Sequence, residues 1–212
     1  MNLDLRCYLV TSGTGVHTVE TAARAARAGA GMVQVRAKDA STRELLDLTC
    51  AVAERVRGAN PDTKVVVNDR VDVALVARER GAYVHGVHLG QDDLPIEAAR
   101  ALLGPEAIVG LTTGTLDLVR AAHDRRHLLD YIGAGPFRLT PTKDSGRPPL
   151  GVEGYRTLVA ATDLPIVAIG DIGAADAPAL AAAGVAGAAV VRAVMAAPDP
   201  AGVVRGVIDA FA

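Results

Sequence analysis

The sequence predicts an α/β protein, a single (β/α)₈ TIM barrel spanning residues 1–212. Three observations carry that expectation. Apolar runs of four to six residues recur along the chain, and a segment of helical pattern follows each, eight times in all. The runs are continuously apolar, as strands of a parallel sheet covered by helices must be. Eight such units in 212 residues match this barrel with few insertions. A doubly wound open sheet is the alternative. It usually has fewer strands, and a phosphate-binding glycine motif after the first strand would favour it. Ser12-Gly13-Thr14-Gly15 is a poor version of that motif, with no glycine three residues on.

In chain order, Leu5–Val10 is strand-like and closes at Ser12-Gly13, and the Ala-rich Val19–Ala28 reads as a helix stopped by Gly29. Met32–Val35 is the second strand. Ser41 with Glu44 three residues on forms a capping-box signature, and Leu45, Leu46 and Val52 follow at helical spacing. Lys64–Val67 and Val71–Arg80 make the third unit, Val84–Leu89 and Ile96–Leu103 the fourth, the latter stopped by Gly104-Pro105. Ala107–Leu111 precedes a helix over Leu116–His123. Leu128–Ile132 leads into two glycines and a long loop, and a helix resumes over Val152–Ala161. Ile166–Ile169 with Ala175–Ala183, then Gly187–Val191 with Ala193–Met195 and Ala201–Phe211, complete the series.

Half of the chain is apolar, with 22 glycines and 3% aromatic residues, so the core must be built from Val, Leu, Ile and Ala. A net charge of −2 argues against a general nucleic-acid binder. An anionic substrate then needs a local cluster of cations. Cys7 and Cys50 lie far apart without metal-ligand spacing, which points to a reduced, cytoplasmic protein. No signal pattern or apolar run of ~18 residues predicts export or a membrane partner. Self-association into a homo-oligomer is left open.

In such barrels the active site lies at the C-terminal ends of the strands. Strand 2 ends in Gln34-Val35-Arg36-Ala37-Lys38, where alternation puts Gln34, Arg36 and Lys38 on one side. Strand 3 runs into Asn68-Asp69, strand 4 into Gln91-Asp92-Asp93 and strand 5 into Thr112-Thr113. Strand 6 feeds Thr140-Pro141-Thr142-Lys143, in which hydroxyls flank a lysine. Strand 7 ends in Gly170-Asp171-Ile172-Gly173, and strand 8 in Val191-Arg192. Cations beside carboxylates at a phosphate-like site suggest a bridging Mg²⁺, which takes one or two protein carboxylates and completes its shell with phosphate oxygens and water. The chemistry suggested is metal-assisted displacement of a diphosphate, with a second phosphorylated small molecule held across the mouth. Each piece has a plainer alternative. Asn68-Asp69 or Asp92-Asp93 could cap the next helix, and Gln34-Val35-Arg36 could form an ion pair at the barrel edge. His85 and His88 face opposite ways and are expected to be packed or hydrogen-bonded, and His123 and His127 to be structural.

These residues resemble the thiamine phosphate synthase family over nearly the whole chain. The motifs are Tyr8-Leu9-Val10-Thr11, Gln34-Val35-Arg36-Ala37-Lys38, Asn68-Asp69-Arg70-Val71-Asp72, Val87-His88-Leu89-Gly90-Gln91-Asp92-Asp93, Gly133-Ala134-Gly135-Pro136, Thr140-Pro141-Thr142-Lys143 and Pro148-Pro149-Leu150-Gly151. The resemblance implies a (β/α)₈ transferase joining hydroxymethylpyrimidine diphosphate to a thiazole phosphate, giving thiamine phosphate and pyrophosphate. It implies that Gln34, Arg36, Lys38, Asn68, Thr112 and Lys143 bind the pyrimidine diphosphate, with Lys143, Arg36 and Lys38 supplying the catalytic charge. Asp69 and Asp93 would hold Mg²⁺. Thr140 and Thr142 would contact the thiazole phosphate, helped by Gly170, Asp171, Val191 and Arg192. The implied path is dissociative: diphosphate leaves, and the thiazole nitrogen captures a pyrimidine methylene cation.

Three positions depart from the family pattern. Gly114 stands where related thiazole tautomerases carry a histidine, Asp171 replaces the second glycine of Ile-Gly-Gly-Ile, and Arg192 replaces a serine. A carboxylate at Asp171 should repel a phosphate unless Arg192 pairs with it or reaches the phosphate itself. A divergent relative with a changed acceptor, and a non-catalytic ligand-binding barrel, are the competing expectations.

Overall fold

The structure, a computed structural model, describes residues 3–139, 146 and 148–212. Eight parallel strands close into a barrel in chain order. They are β1 (Cys7–Val10), β2 (Met32–Val35), β3 (Lys64–Asn68), β4 (Gly86–Leu89), β5 (Ile108–Thr113), β6 (Tyr131–Ala134), β7 (Ile166–Ile169) and β8 (Gly187–Val190). Closure is made by β8 on β1, with Tyr8 in register with Ala189 on one side and Met32 on the other. The helices are α1 (Val16–Arg27), α2 (Thr42–Ala59), α3 (Val71–Glu79), α4 (Ile96–Leu103), α5 (Leu116–Asp124), α6 (Gly151–Val159), α7 (Ala177–Ala182), α8 (Arg192–Met195) and α9 (Pro200–Asp209). The barrel is therefore the predicted one, and the open-sheet alternative is excluded by the β1–β8 pairing.

Two aliphatic layers share each strand, because successive side chains point to opposite faces. On β1 to β5 the even-numbered residues point inward, and on β6 to β8 the odd-numbered ones do. Tyr8, Val10, Met32, Val66, Ile108, Tyr131, Val167 and Ala189 fill the barrel interior. The alternate residues, such as Cys7, Leu9, Val33, Val87, Ile132 and Val190, meet the helices in a larger outer core. The continuous apolar runs are thus two half-patterns superposed, each buried for a different reason.

The capping box forms as predicted: Glu44 N–H donates to Ser41 Oγ at 3.3 Å, and Ser41 N–H to the Glu44 carboxylate at 2.9 Å. Most element boundaries fall within two residues of expectation, and two starts differ by three. Helix α1 starts at Val16 rather than Val19, where Thr18 N–H bonds the Gly15 carbonyl and Thr18 Oγ1 bonds the Ser12 carbonyl. Its first turn exposes Val16, so no apolar periodicity marks it. Strand β6 starts at Tyr131 rather than Leu128, which lies in a 3₁₀ turn, Arg126–Leu128. Arg100 accounts for that turn. Its guanidinium bonds the Leu128 carbonyl at 2.8 Å and pairs with Asp130 at 2.8 Å, and Asp130 in turn accepts the Val109 N–H. Among the described residues no helix is long and apolar enough to cross a membrane.

Candidate active site

The strands end at a cavity of about 490 Å³ at the C-terminal mouth of the barrel. Its floor is polar. Gln34 Nε2 donates to the Tyr8 hydroxyl at 2.8 Å, and the Tyr8 and Tyr131 hydroxyls lie 2.7 Å apart. His88 continues the chain, with Nδ1 2.9 Å from the Tyr131 hydroxyl and Nε2 2.9 Å from Thr112 Oγ1. These five side chains come from β1, β2, β4, β5 and β6 and all point inward. Small residues make room for them. A methyl on Gly110 would collide with the phenol end of Tyr131, 2.2 Å from Cζ, and one on Gly133 would sit 3.1 Å from His88 Cε1. Burial pushes both phenols well above their ordinary range, so both keep their protons.

Above the floor stand the charges. Arg36 and Lys38 follow Gln34 with the same inward phase and line the cavity. The Thr11 side chain anchors that segment, since Arg36 N–H donates to Thr11 Oγ1 at 3.0 Å. Arg36 forms no ion pair among the described residues, which removes the edge-pair alternative. Asn68 ends β3, and Asp69 follows in the left-handed region at φ 63°, its N–H held by the His88 carbonyl at 2.8 Å. Neither caps α3, whose N-cap is Arg70 without a side-chain bond. Asp93 does not cap α4 either; it accepts the Gly90 N–H at 2.7 Å. The left-handed turn brings Asp69 against Asp93. Burial raises the Asp69 carboxyl above its usual range, contact with Asp93 and its negative charge raise it further, and Lys38 and Asn68 pull it back only in part. Two half-buried carboxylates facing each other beside cations are the donor set a hard divalent cation needs, with room left for ligand oxygens and water. Among the described residues no third acidic, His or Cys ligand joins them.

The β7 and β8 ends form the opposite wall. Gly170 (φ 124°) packs against Pro136 and Phe137, where a Cβ would collide with backbone. Asp171 is a non-glycine residue at φ 54°, which explains the glycine of the family pattern at that position. Its carboxylate pairs with the Arg192 guanidinium, and its carbonyl accepts from Arg138 at 3.1 Å. Arg138 also pairs with Asp176. The expected repulsion at Asp171 is therefore neutralised from within the chain. Gly114, at φ 147°, sits in a backbone conformation that favours glycine and offers no imidazole.

Gln34, Arg36, Lys38, Asn68, Asp69, Asp93, Thr112, Gly170, Asp171, Val191 and Arg192 all line this one cavity. Thr140, Thr142 and Lys143 lie outside the described residues. The two histidines behave as expected: His88 bonds at both ring nitrogens, and His85 Nδ1 accepts the Val65 N–H at 3.0 Å. Sequence reasoning missed Tyr8 and Tyr131 as site residues. The available signal was their type, two of only four tyrosines in the chain, each placed at an inward strand position.

A closed (β/α)₈ barrel with cations and paired carboxylates at its mouth is the framework of a barrel enzyme. Its sequence matches the thiamine monophosphate synthase family over residues 7–194. It is 60% identical to the thiamine-phosphate synthase of Corynebacterium efficiens, covering 98% of this chain and 95% of that protein. It is 55% identical to the thiamine-phosphate synthase of Corynebacterium jeikeium, covering 99% and 96%. The solved thiamine phosphate pyrophosphorylase from Pyrococcus furiosus superposes with a TM-score of 0.84 at 32% identity, covering 99% of this chain and 96% of the other. The chain belongs to the thiamine monophosphate synthase family, and it is a transferase of thiamine biosynthesis.

Proposed function

We propose that the thiamine-phosphate synthase activity of this chain runs at the barrel mouth as a displacement of diphosphate from a pyrimidine methylene, with a thiazole phosphate as acceptor. The observation that carries this mechanism is the convergence of Gln34, Arg36 and Lys38 with the Asp69–Asp93 pair in a single cavity. Gln34 sits on the floor where a flat heterocycle can meet its amide. Arg36, Lys38 and Asn68 above it, with Thr112 at the floor, hold the diphosphate oxygens, and Lys143 completes the set. Asp69 and Asp93 would hold Mg²⁺, which when bound neutralises charge on the diphosphate. The residues' own contribution is to fix the diphosphate and carry its charge as it leaves, so that positioning and electrostatics supply most of the rate. Diphosphate departs with the C–O bonding pair, and the thiazole nitrogen gives its lone pair to the methylene carbon left behind. No poised base is required.

The acceptor's phosphate is assigned to the β7–β8 wall, at Gly170, Asp171, Val191 and Arg192, with Thr140 and Thr142. The Arg192–Asp171 pair supports this, because it removes a bare carboxylate from the approach of a phosphate. The partners in this scheme are small phosphorylated molecules. A cytoplasmic location fits the two free cysteines, Cys7 and Cys50.

The test mixes purified protein, Mg²⁺, hydroxymethylpyrimidine diphosphate and the thiazole phosphate. Thiamine phosphate and pyrophosphate should appear together in equal amounts. Product only with a different acceptor would place the chain among relatives with an altered thiazole side, and no release of pyrophosphate with any acceptor would end the proposal.

A further inference from the structure

We infer that Tyr131 is a positioning residue: its hydroxyl holds the His88 ring as the Nε2–H tautomer and so turns the Thr112 hydroxyl proton into the barrel mouth. Donor counting along a buried chain of hydrogen bonds fixes the direction of each proton. The Gln34 amide nitrogen can only donate, so the Tyr8 oxygen at 2.8 Å accepts. Tyr8 is buried, and its own proton has one remaining partner, the Tyr131 oxygen at 2.7 Å. Tyr131 accepts that proton and must send its own to His88 Nδ1 at 2.9 Å. Nδ1 is then unprotonated, and the ring proton of a neutral imidazole lies on Nε2. Nε2–H donates to Thr112 Oγ1 at 2.9 Å, and the Thr112 proton is left for an acceptor in the cavity.

The opposite polarity fails at Tyr8. If Tyr131 donated to Tyr8, two donors would converge on one phenol, and the Tyr8 proton would be buried without an acceptor. An unmade bond of that kind is costly in a dry interior. Both phenols are held protonated by burial, so neither can escape the count by ionising. Two glycines, Gly110 and Gly133, give up side chains for the Tyr131 and His88 rings, so the barrel is built around this chain. Gln34 and Thr112, which the proposed function puts on the pyrimidine diphosphate, are its two ends. The catalytic consequence rests on that proposal, while the tautomer does not.

The experiment is ¹⁵N NMR of histidine-labelled, ligand-free protein at neutral pH, with the His88 signals among the five histidines assigned by His88→Gln. The wild type should show an imine-type shift at Nδ1 and a pyrrole-type shift at Nε2. Tyr131→Phe keeps the ring and removes only the donor, and it should populate the Nδ1–H tautomer. Tyr8→Phe leaves Tyr131 its proton for His88 and should keep the wild-type signature. In steady-state assays Tyr131→Phe and Thr112→Val should each raise KM for the pyrimidine diphosphate roughly tenfold, the worth of one hydrogen bond to a charged group, without changing KM for the thiazole phosphate. A wild-type ring protonated at Nδ1, or an unchanged tautomer in Tyr131→Phe, would overturn the inference. So would a tautomer change in Tyr8→Phe of equal size, which would mark general loosening of the barrel floor. If Tyr131→Phe does not fold, the wild-type signature alone decides the tautomer. An inactive wild type with the Nε2–H signature would overturn the proposed function and leave the tautomer supported.

Discussion

Replacing Asp69 by asparagine should make the metal-free chain more stable while removing its activity. Asp69 faces Asp93 in a half-buried position, and burial, contact and like charge all raise its carboxyl above the ordinary range. Two like charges ~4 Å apart cost about 4 kcal/mol at an effective dielectric of 20 and about 1 in water. Both groups are partly solvated and Lys38 offsets part of the repulsion, so the low end applies, about 1 kcal/mol. Asparagine suits the site because it tolerates the left-handed backbone at φ 63° and keeps a hydrogen-bonding group toward Asp93. The sign follows from linkage. A carboxyl raised on folding binds more protons in the folded state, so the wild type loses stability as pH rises through the window above 3.8 and carries the full cost at neutral pH. Thermal melts in EDTA at pH 7.5 should show the variant higher by about 2–4 °C. Saturating Mg²⁺ should raise the wild type through preferential binding to the folded state and leave the variant unmoved. A variant that melts lower than wild type in EDTA would refute the repulsion and, with it, the argument that this pair is built for a cation.

Three further perturbations separate other parts of the site. Arg192→Ser should expose the Asp171 carboxylate and raise KM for the thiazole phosphate roughly tenfold with less effect on the pyrimidine; adding Asp171→Gly should restore it, because φ 54° suits glycine. Equal effects on both substrates would remove the acceptor's phosphate from this wall. Lys143→Ala should lower kcat by about a hundredfold through lost charge stabilisation of the leaving diphosphate, and wild-type turnover would cancel that role. Burial, with help from Lys64, pushes the His85 imidazole down to about 4, so the unfolded chain binds more protons between pH 6.5 and 4, and stability is lost as pH falls through that window. The full shift would be worth about 3 kcal/mol, which solvent screening reduces to about 1–2. Urea midpoints at pH 7 and pH 4.5 should therefore differ less in His85→Gln than in wild type, and an equal drop in both would exclude His85 as the cause.

Much of the site was legible because a strand's period of two is a local property. Gln34, Arg36 and Lys38 share a phase, and that phase sufficed to place all three at the mouth. Continuous apolar runs followed by helical segments, counted to eight, sufficed for the barrel. Charge type put Asp69, Asp92 and Asp93 at two strand ends, and the family resemblance singled out Asp69 with Asp93. The boundary of β6 was not legible, because Leu128 is apolar whether it lies in a strand or, as here, in a turn pinned by Arg100.

By itself, the sequence determined which face each strand residue shares with its neighbours, and hence a barrel with a charged mouth. Only the tertiary structure decided which of those residues meet across the lumen. Tyr8 and Tyr131 are 123 positions apart and touch because the barrel closes. Arg192 finds Asp171 because β7 and β8 are adjacent and their ends turn toward each other. Periodicity is set by the backbone within a few residues, whereas contact across a barrel depends on closure, register and the space that Gly110 and Gly133 leave open, which no local pattern encodes.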